Sequence, residues 1–240
     1  MTHVPEPLFP APKMSPEEKK KLTEELLRPI QLTPPDQPPG IITLDNLFIE
    51  EKSPRQGNDK ILQTYDKSLQ SLRSRNCQRH LRSDEAFRVL IDAIENPNSK
   101  YKSISDDMLF SYGEWLSLAG KRESDTKLHL YNDPDGTLNN YEFIPQNFKY
   151  LEEKIFTIDK DIPSGTYVDL DRFPNDLVTF LYSRPFDKLP DVIKSGNRRA
   201  QLWLPKQGII RPFGRGGDFV SFGLDANFNN WASRGVSERR

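Results

Sequence analysis

The segment IIRPFGRGGDFVSFGL, residues 209–224, decides the fold of the C-terminal half of this chain. Apolar and polar residues alternate on both sides of the run GRGG, a pattern typical of two β-strands joined by a turn. We therefore predict a β-hairpin whose phenylalanines, Phe213 and Phe219, face the protein core. The alternative is a contact surface, because arginines that hold phosphates beside rings that stack on bases are typical of single-strand binding.

Strand-like alternation recurs around this hairpin in KLHLY, TLNNYEF, GTYVDLDRF and AQLWLP, and NDPDG predicts a turn between the first two. The segments PNDLVTFLYSR and FDKLPDVIKSG predict short helices. There is no strict βαβ alternation and no internal repeat. Residues 121–240 are therefore predicted to form a mixed region of short helices and a small, mostly antiparallel sheet.

Residues 59–120 predict a layer of three amphipathic helices. The first follows Asp59, the second runs from Ser83 to the pair Asn96-Pro97, and the third spans about Asp106 to Ala119. Their apolar residues recur at helical spacing, and they form one face of each helix. Gly120 is expected to end the third helix.

Residues 1–58 are predicted to be a proline-rich extended arm with one short helix in SPEEKKKLTEELLRPI. Eleven of the twenty prolines fall within residues 1–60, and proline disfavours regular backbone hydrogen bonding. The segment IITLDNLFIE within this arm offers the first apolar anchor, a candidate strand. The arm is expected to dock onto a protein partner.

Composition excludes several classes of protein. The formal net charge is −1, whereas proteins that package nucleic acid are usually strongly basic. The one cysteine permits no internal disulfide and no thiolate metal cluster. No apolar run reaches membrane-spanning length, and no secretory signal pattern is present. We expect a cytoplasmic protein without a cofactor and without membrane contact, and the sequence gives no oligomeric state.

Two basic segments are the candidate binding surface for a protein or a nucleic acid. From residue 196 to the end, eight basic residues face three acidic ones, a local balance of +5, and aromatic residues lie between them. The segment LRSRNCQRHLR adds arginines without any acid. The candidate contact residues are Arg198, Arg199, Lys206, Arg211, Arg215, Arg73, Arg75 and Arg79.

Three further motifs have a functional and a structural interpretation. Asp169 and Asp171 would share one face of a strand and could hold a divalent metal, although the wet face of a strand is the commoner origin of this spacing. The loop YNDPDGTLNNYE resembles a calcium loop in spacing, but Tyr131 replaces its first acidic ligand, so we expect a turn. Neighbouring arginines would lower the pKa of Cys77, yet a lone cysteine without a placed base is expected to be unreactive.

The sequence therefore predicts an α+β fold and a non-enzymatic interaction subunit. This subunit would dock onto a larger complex through its arm and its basic, aromatic C-terminal face. The first alternative is a nucleic-acid-binding protein that uses the arginine-rich segments 73–82 and 198–215. The second alternative is a metal-dependent enzyme that uses Asp169 and Asp171.

Overall fold

A computed structural model of the chain describes residues 40–109, 113–133, 136–139, 142–145, 152–195, 200–208, 210–215, 221–223 and 231–238. Residues 1–39 are outside this set, and with them most of the expected arm. Within these ranges no helix has the length and apolar character needed to cross a lipid bilayer.

Fifteen strands and five α-helices are present in the described ranges. The strands are β1 (Ile41–Leu44), β2 (Leu47–Glu50), β3 (Arg55–Gln56), β4 (Asp59–Lys60), β5 (Arg79–His80), β6 (Glu114–Ser124), β7 (Lys127–Asn132), β8 (Gly136–Asn139), β9 (Glu142–Pro145), β10 (Glu152–Thr157), β11 (Tyr167–Asp169), β12 (Gln201–Trp203), β13 (Ile210–Arg215), β14 (Ser221–Gly223) and β15 (Gly235–Glu238). The helices are α1 (Tyr65–Ser74), α2 (Ser83–Glu95), α3 (Lys102–Leu109), α4 (Asn175–Tyr182) and α5 (Asp191–Lys194).

The strands form two sheets and two separate hairpins. The larger sheet has seven strands in the order β10-β7-β6-β13-β14-β12-β11, and the smaller has the order β1-β2-β15-β5. Neighbouring strands are antiparallel except β12 and β14, which are parallel. This mixture of helices and antiparallel sheets confirms the α+β class.

Strand β6 replaces most of the predicted third helix, and that prediction was wrong. Helix α3 ends at Leu109, and Trp115, Leu116 and Ala119 lie on the central strand of the larger sheet. Leu116 belongs to the main core, whereas Trp115 and Ala119 belong to a second cluster with Tyr65 on the opposite face. A strand buried on both faces is a continuous apolar run, in which helical spacing arises without a helix.

The other two helices of the predicted layer are confirmed with one change of boundary. Helix α2 begins at Ser83, and the Glu85 carboxylate accepts the Arg82 backbone N–H at 2.9 Å, as in a capping box. It ends directly before Asn96-Pro97. Helix α1 begins at Tyr65, because Asp59 and Lys60 instead form β4.

Residues 41–50, assigned to the arm from sequence, form the hairpin β1–β2. Strand β2 pairs with the C-terminal strand β15, through Ile49 opposite Val236. The candidate strand in IITLDNLFIE is therefore confirmed as a strand, and the segment belongs to the smaller sheet.

The hairpin predicted for residues 209–224 is confirmed as β13 and β14. Phe213 on β13 is fully buried and packs against Gly120 of β6, where an added Cβ would meet the phenyl ring at 2.3 Å. Gly120 therefore lies in the middle of a strand, where its lack of a side chain leaves room for an aromatic ring, and it does not end a helix. Phe219 lies outside the described residues.

The hairpin predicted across NDPDG was wrong, because the segments KLHLY and TLNNYEF do not pair with each other. Strand β7 pairs with β6 and β10, while β8 and β9 form a separate hairpin. Asp133, at the end of β7, forms an ion pair with Arg82. Because β7 lies inside the larger sheet, its register is set by two neighbours rather than by the turn that follows it.

Candidate functional site

The arginine-rich segment near Cys77 is tied to carboxylates of the same chain. Arg75 Nε donates to Glu50 Oε1 at 2.7 Å and Arg75 Nη2 to Glu50 Oε2 at 3.1 Å. Arg79 makes two hydrogen bonds of 2.7 Å to Glu85. Bidentate pairs of this kind hold the guanidinium in place. Of the three candidate arginines in this segment, Arg73 is the one on the exposed face of α1.

The C-terminal candidates divide into exposed, undescribed and packed residues. Lys206 is exposed after β12. Arg198 and Arg199, and the side chains of Arg211 and Arg215, lie outside the described residues. Among the aromatic residues of this segment, Phe213 is buried, and Trp231 packs 4.9 Å from Trp115 between ring centroids. Both rings contribute to packing, with Phe213 fully buried and Trp231 half-buried against Trp115.

Arg234, counted in the basic C-terminal segment, belongs to a buried ion cluster. Its Nη2 atom lies 2.5 Å from Asp107 Oδ2 and 3.0 Å from Glu114 Oε1. Lys60 Nζ lies 3.5 Å and 3.3 Å from the same two carboxylates. The four side chains are almost inaccessible to solvent, so this arginine adds no charge to the surface.

Burial determines the chemistry of Cys77 and His80. Burial, with a further contribution from the Glu50 carboxylate, raises the pKa of the Cys77 thiol to about 12, and the opposing effect of Arg75 is smaller. The expectation of a lowered pKa was therefore wrong. Burial also lowers the pKa of His80 to about 3. His80 Nε2 lies 2.9 Å from Ser68 Oγ, and both residues are inaccessible to solvent.

Asp169 and Asp171 do not share a strand face. Asp169 ends β11, and Asp171 lies in the following 3₁₀ turn, Leu170–Arg172. Both line a pocket of about 360 Å³, and Gln201 Nε2 donates to Asp169 Oδ1 at 2.8 Å. The other described lining residues include Arg172 but no third carboxylate. In the described part of the chain, no group of three or more His, Cys, Asp or Glu side chains is placed to hold a metal.

Exposed apolar side chains mark the edges of the sheets instead. Among the described residues, four large apolar side chains are exposed, and three of them lie on edge strands. They are Ile41 on β1 (65% exposed), Ile155 on β10 (58%) and Tyr167 on β11 (45%). The fourth, Val192, lies on α5. An edge strand has unpaired backbone groups, so an exposed apolar side chain there marks a site where another strand can add.

The edge at β10 is the longest and the least covered of these. It spans six residues, of which all but Phe156 are exposed, whereas β1 has four residues and β11 three. The Tyr101 hydroxyl donates to the Thr43 carbonyl oxygen of β1 at 3.4 Å, which engages part of that edge. In the described chain no strand pairs with the outer side of β10.

Hydrogen-bond alternation shows which groups of β10 face outward. Ile158 N donates to Thr126 O at 2.9 Å, in the same register that pairs β10 with β7. Directly bonded and non-bonded pairs alternate along an antiparallel ladder. The backbone groups of Glu153, Ile155 and Thr157 therefore point away from β7, towards the free edge.

The charged side chains of β10 have polar partners within the same sheet. His129, on β7, lies between two carboxylates, with Nδ1 2.5 Å from Glu153 Oε1 and Nε2 3.1 Å from Glu123 Oε2. Lys154 Nζ lies 3.6 Å from Glu152 Oε1. Ile155 thus projects from an edge whose charges already have partners.

Comparison of the chain with protein-family models, with curated proteins and with solved structures finds no match. The β10 edge was not predicted from sequence. The segment EEKIFT contains Ile, Phe and Thr, which favour strands, but its charged first half hides the alternation. The partners of Arg234 are 120 or more positions away in sequence, so no local pattern predicts its burial.

Proposed function

We propose that this protein is a non-enzymatic interaction subunit that binds a protein partner along the free edge of β10. The observation that carries the proposal is that three of the four exposed large apolar side chains in the described chain lie on edge strands. Strand addition to such an edge supplies backbone hydrogen bonds for affinity and side-chain contacts for specificity. Ile155 supplies the apolar contact.

The proline-rich arm and the exposed positive charge of Lys206 remain parts of this proposal as additional contacts. A nucleic-acid partner is less favoured, because Arg75 and Arg79 are engaged by Glu50 and Glu85. Guanidinium groups that are already paired would have to exchange one anion for another in order to hold a phosphate.

The experiment is site-specific photo-crosslinking from the surface of the full chain. A photoreactive amino acid replaces Ile155 in one variant and Val192 in the control variant, which is exposed to a similar degree but lies on a helix. Adducts with a defined protein from position 155, and none from position 192, are the expected result. Equal labelling from both positions, or adducts with nucleic acid alone, would contradict the proposal.

A further inference from the structure

We infer that the partner of the β10 edge is the same edge of a second copy of this chain, an inference that rests on the proposed function. Glu153, Ile155 and Thr157 carry the outward backbone groups, and Ile155 is the middle one of the three. A two-fold axis perpendicular to the sheet through Ile155 places each residue opposite its symmetry partner. The edge is therefore self-complementary, as an isologous interface requires.

The backbone pattern favours this register over its neighbours. Centred on Ile155, the three outward residues of each copy all find partners, because Glu153 faces the second copy's Thr157 and Ile155 faces the second copy's Ile155. Three N–H donors from each of two strands give about six backbone hydrogen bonds. Centring the axis on Lys154 or on Phe156 leaves one outward residue of each strand without a partner inside the strand.

The side chains favour the same register. The axis at Ile155 brings two exposed isoleucines together, whereas an axis at Lys154 would place two lysines directly opposite each other, which is destabilising. The nearest acidic residue on the isoleucine side, Glu153, is held by His129 on its own subunit. Across the axis it faces a threonine, so no like charges meet there.

Pairing of this kind would join two seven-stranded sheets into one continuous sheet. It would also remove the longest edge in the described chain, which otherwise exposes a template for aggregation. An isoleucine that is 58% exposed in the single chain would become covered. Strand β10 thus provides the interaction surface, and the same strand of the second copy is the partner that covers it.

The test is sedimentation of the full chain over a wide range of concentration, with variants at two adjacent positions. In Ile155→Pro the lost N–H points to the free edge, a place where strands tolerate proline. We expect the dimer dissociation constant to rise by at least about tenfold, because each copy loses one donor. In the control Lys154→Pro, the lost N–H bonds β7, so the melting temperature should fall much further than in Ile155→Pro.

Three further variants test the inference if proline disturbs the strand. Ile155→Asp retains the backbone donor and places two carboxylates across the axis, so it should abolish the dimer. Ile155→Val retains the backbone donor and most of the apolar contact of each copy, so it should weaken the dimer far less than Ile155→Asp does. Val192→Lys should leave self-association unchanged.

The chain sedimenting as a monomer at every concentration would overturn the inference, as would a dimer unaffected by both Ile155→Pro and Ile155→Asp. Crosslinking from position 155 separates this failure from that of the proposed function. Adducts between differently tagged copies of the chain support both. Adducts only with another protein overturn self-pairing and leave the interaction subunit standing, and absence of any protein adduct overturns both.

Discussion

Replacement of Arg234 by methionine should be among the most destabilising single changes in the described fold. The guanidinium is fully buried and donates five hydrogen bonds: two to the carboxylate of Glu114, one to that of Asp107, and one each to the carbonyl oxygens of Glu50 and Glu51. Methionine fills a similar volume but donates none of them. The three nearly inaccessible charges that remain, Lys60, Asp107 and Glu114, would then sum to −1, and the partly exposed Arg55 would be the other cation paired with Asp107.

The magnitude follows from removing one member of a buried ion cluster, in which Lys60 stays near both carboxylates and Arg55 stays paired with Asp107. Removal of one member of a buried ion pair costs about 3–5 kcal/mol, and total stabilities are about 5–15 kcal/mol. Burial raises the pKa of Asp107, but the charges of Arg234 and Lys60 outweigh this and hold that pKa below its ordinary value. Without Arg234 the acid should therefore bind a proton at higher pH.

The assay is urea unfolding followed by tryptophan fluorescence, since Trp115 and Trp231 pack against each other within the fold. A double-mutant cycle with Glu114→Gln provides the control, because the double variant restores a neutral set of buried charges. It should be less destabilised than the sum of the two single variants. A loss below about 1 kcal/mol for Arg234→Met, or strict additivity, would refute this account of the cluster.

Three other predictions concern the core, the pH dependence and the arm. Phe213→Ala should lower the free energy of unfolding by about 3–5 kcal/mol, measured by urea unfolding, and a loss below about 1 kcal/mol would place the ring at the surface. The His80 pKa is about 3 in the fold and about 6.5 in the unfolded chain. The part of the free energy of unfolding that depends on neutral His80 is therefore fully present above pH 6.5 and is lost as the pH falls towards 3. The loss at pH 5.5 should be about 1.4 kcal/mol relative to neutral pH, and His80→Gln should lack this part of the slope; equal slopes would contradict it. Deletion of residues 1–34 should leave the melting temperature within about 2 °C and weaken partner binding, and a large fall in melting temperature would show that the arm contributes to folding.

Sequence patterns were reliable where one face of an element is buried and the other is wet. Helix α2 has Phe87, Leu90 and Ile91 at helical spacing on its buried face, and it begins and ends where the sequence predicts. The hairpin around residues 209–224 also has a clear alternation, and Phe213 lies in the core as expected. In both cases local periodicity and tertiary burial agree.

The same reasoning was wrong where a segment has no exposed face or where its partners are far away in sequence. Strand β6 is buried on both sides, so Trp115 and Leu116 carry no periodic signal that separates helix from strand. Cys77 was expected to have a lowered pKa from nearby arginines, but burial raises that pKa, and so does the carboxylate of Glu50, which the fold brings close. The candidate edge depends on strand order, which is a property of the whole sheet.

The most direct test of the central claim is amide hydrogen exchange of β10 in the full chain as its concentration increases. If the free edge is the contact, the amides of Glu153, Ile155 and Thr157 should gain protection at high concentration, because they would become hydrogen-bonded to the partner strand. The amide of Ile41, on another exposed edge, should exchange at an unchanged rate. Fast exchange of all three β10 amides at every concentration, with or without partner protein, would contradict the account.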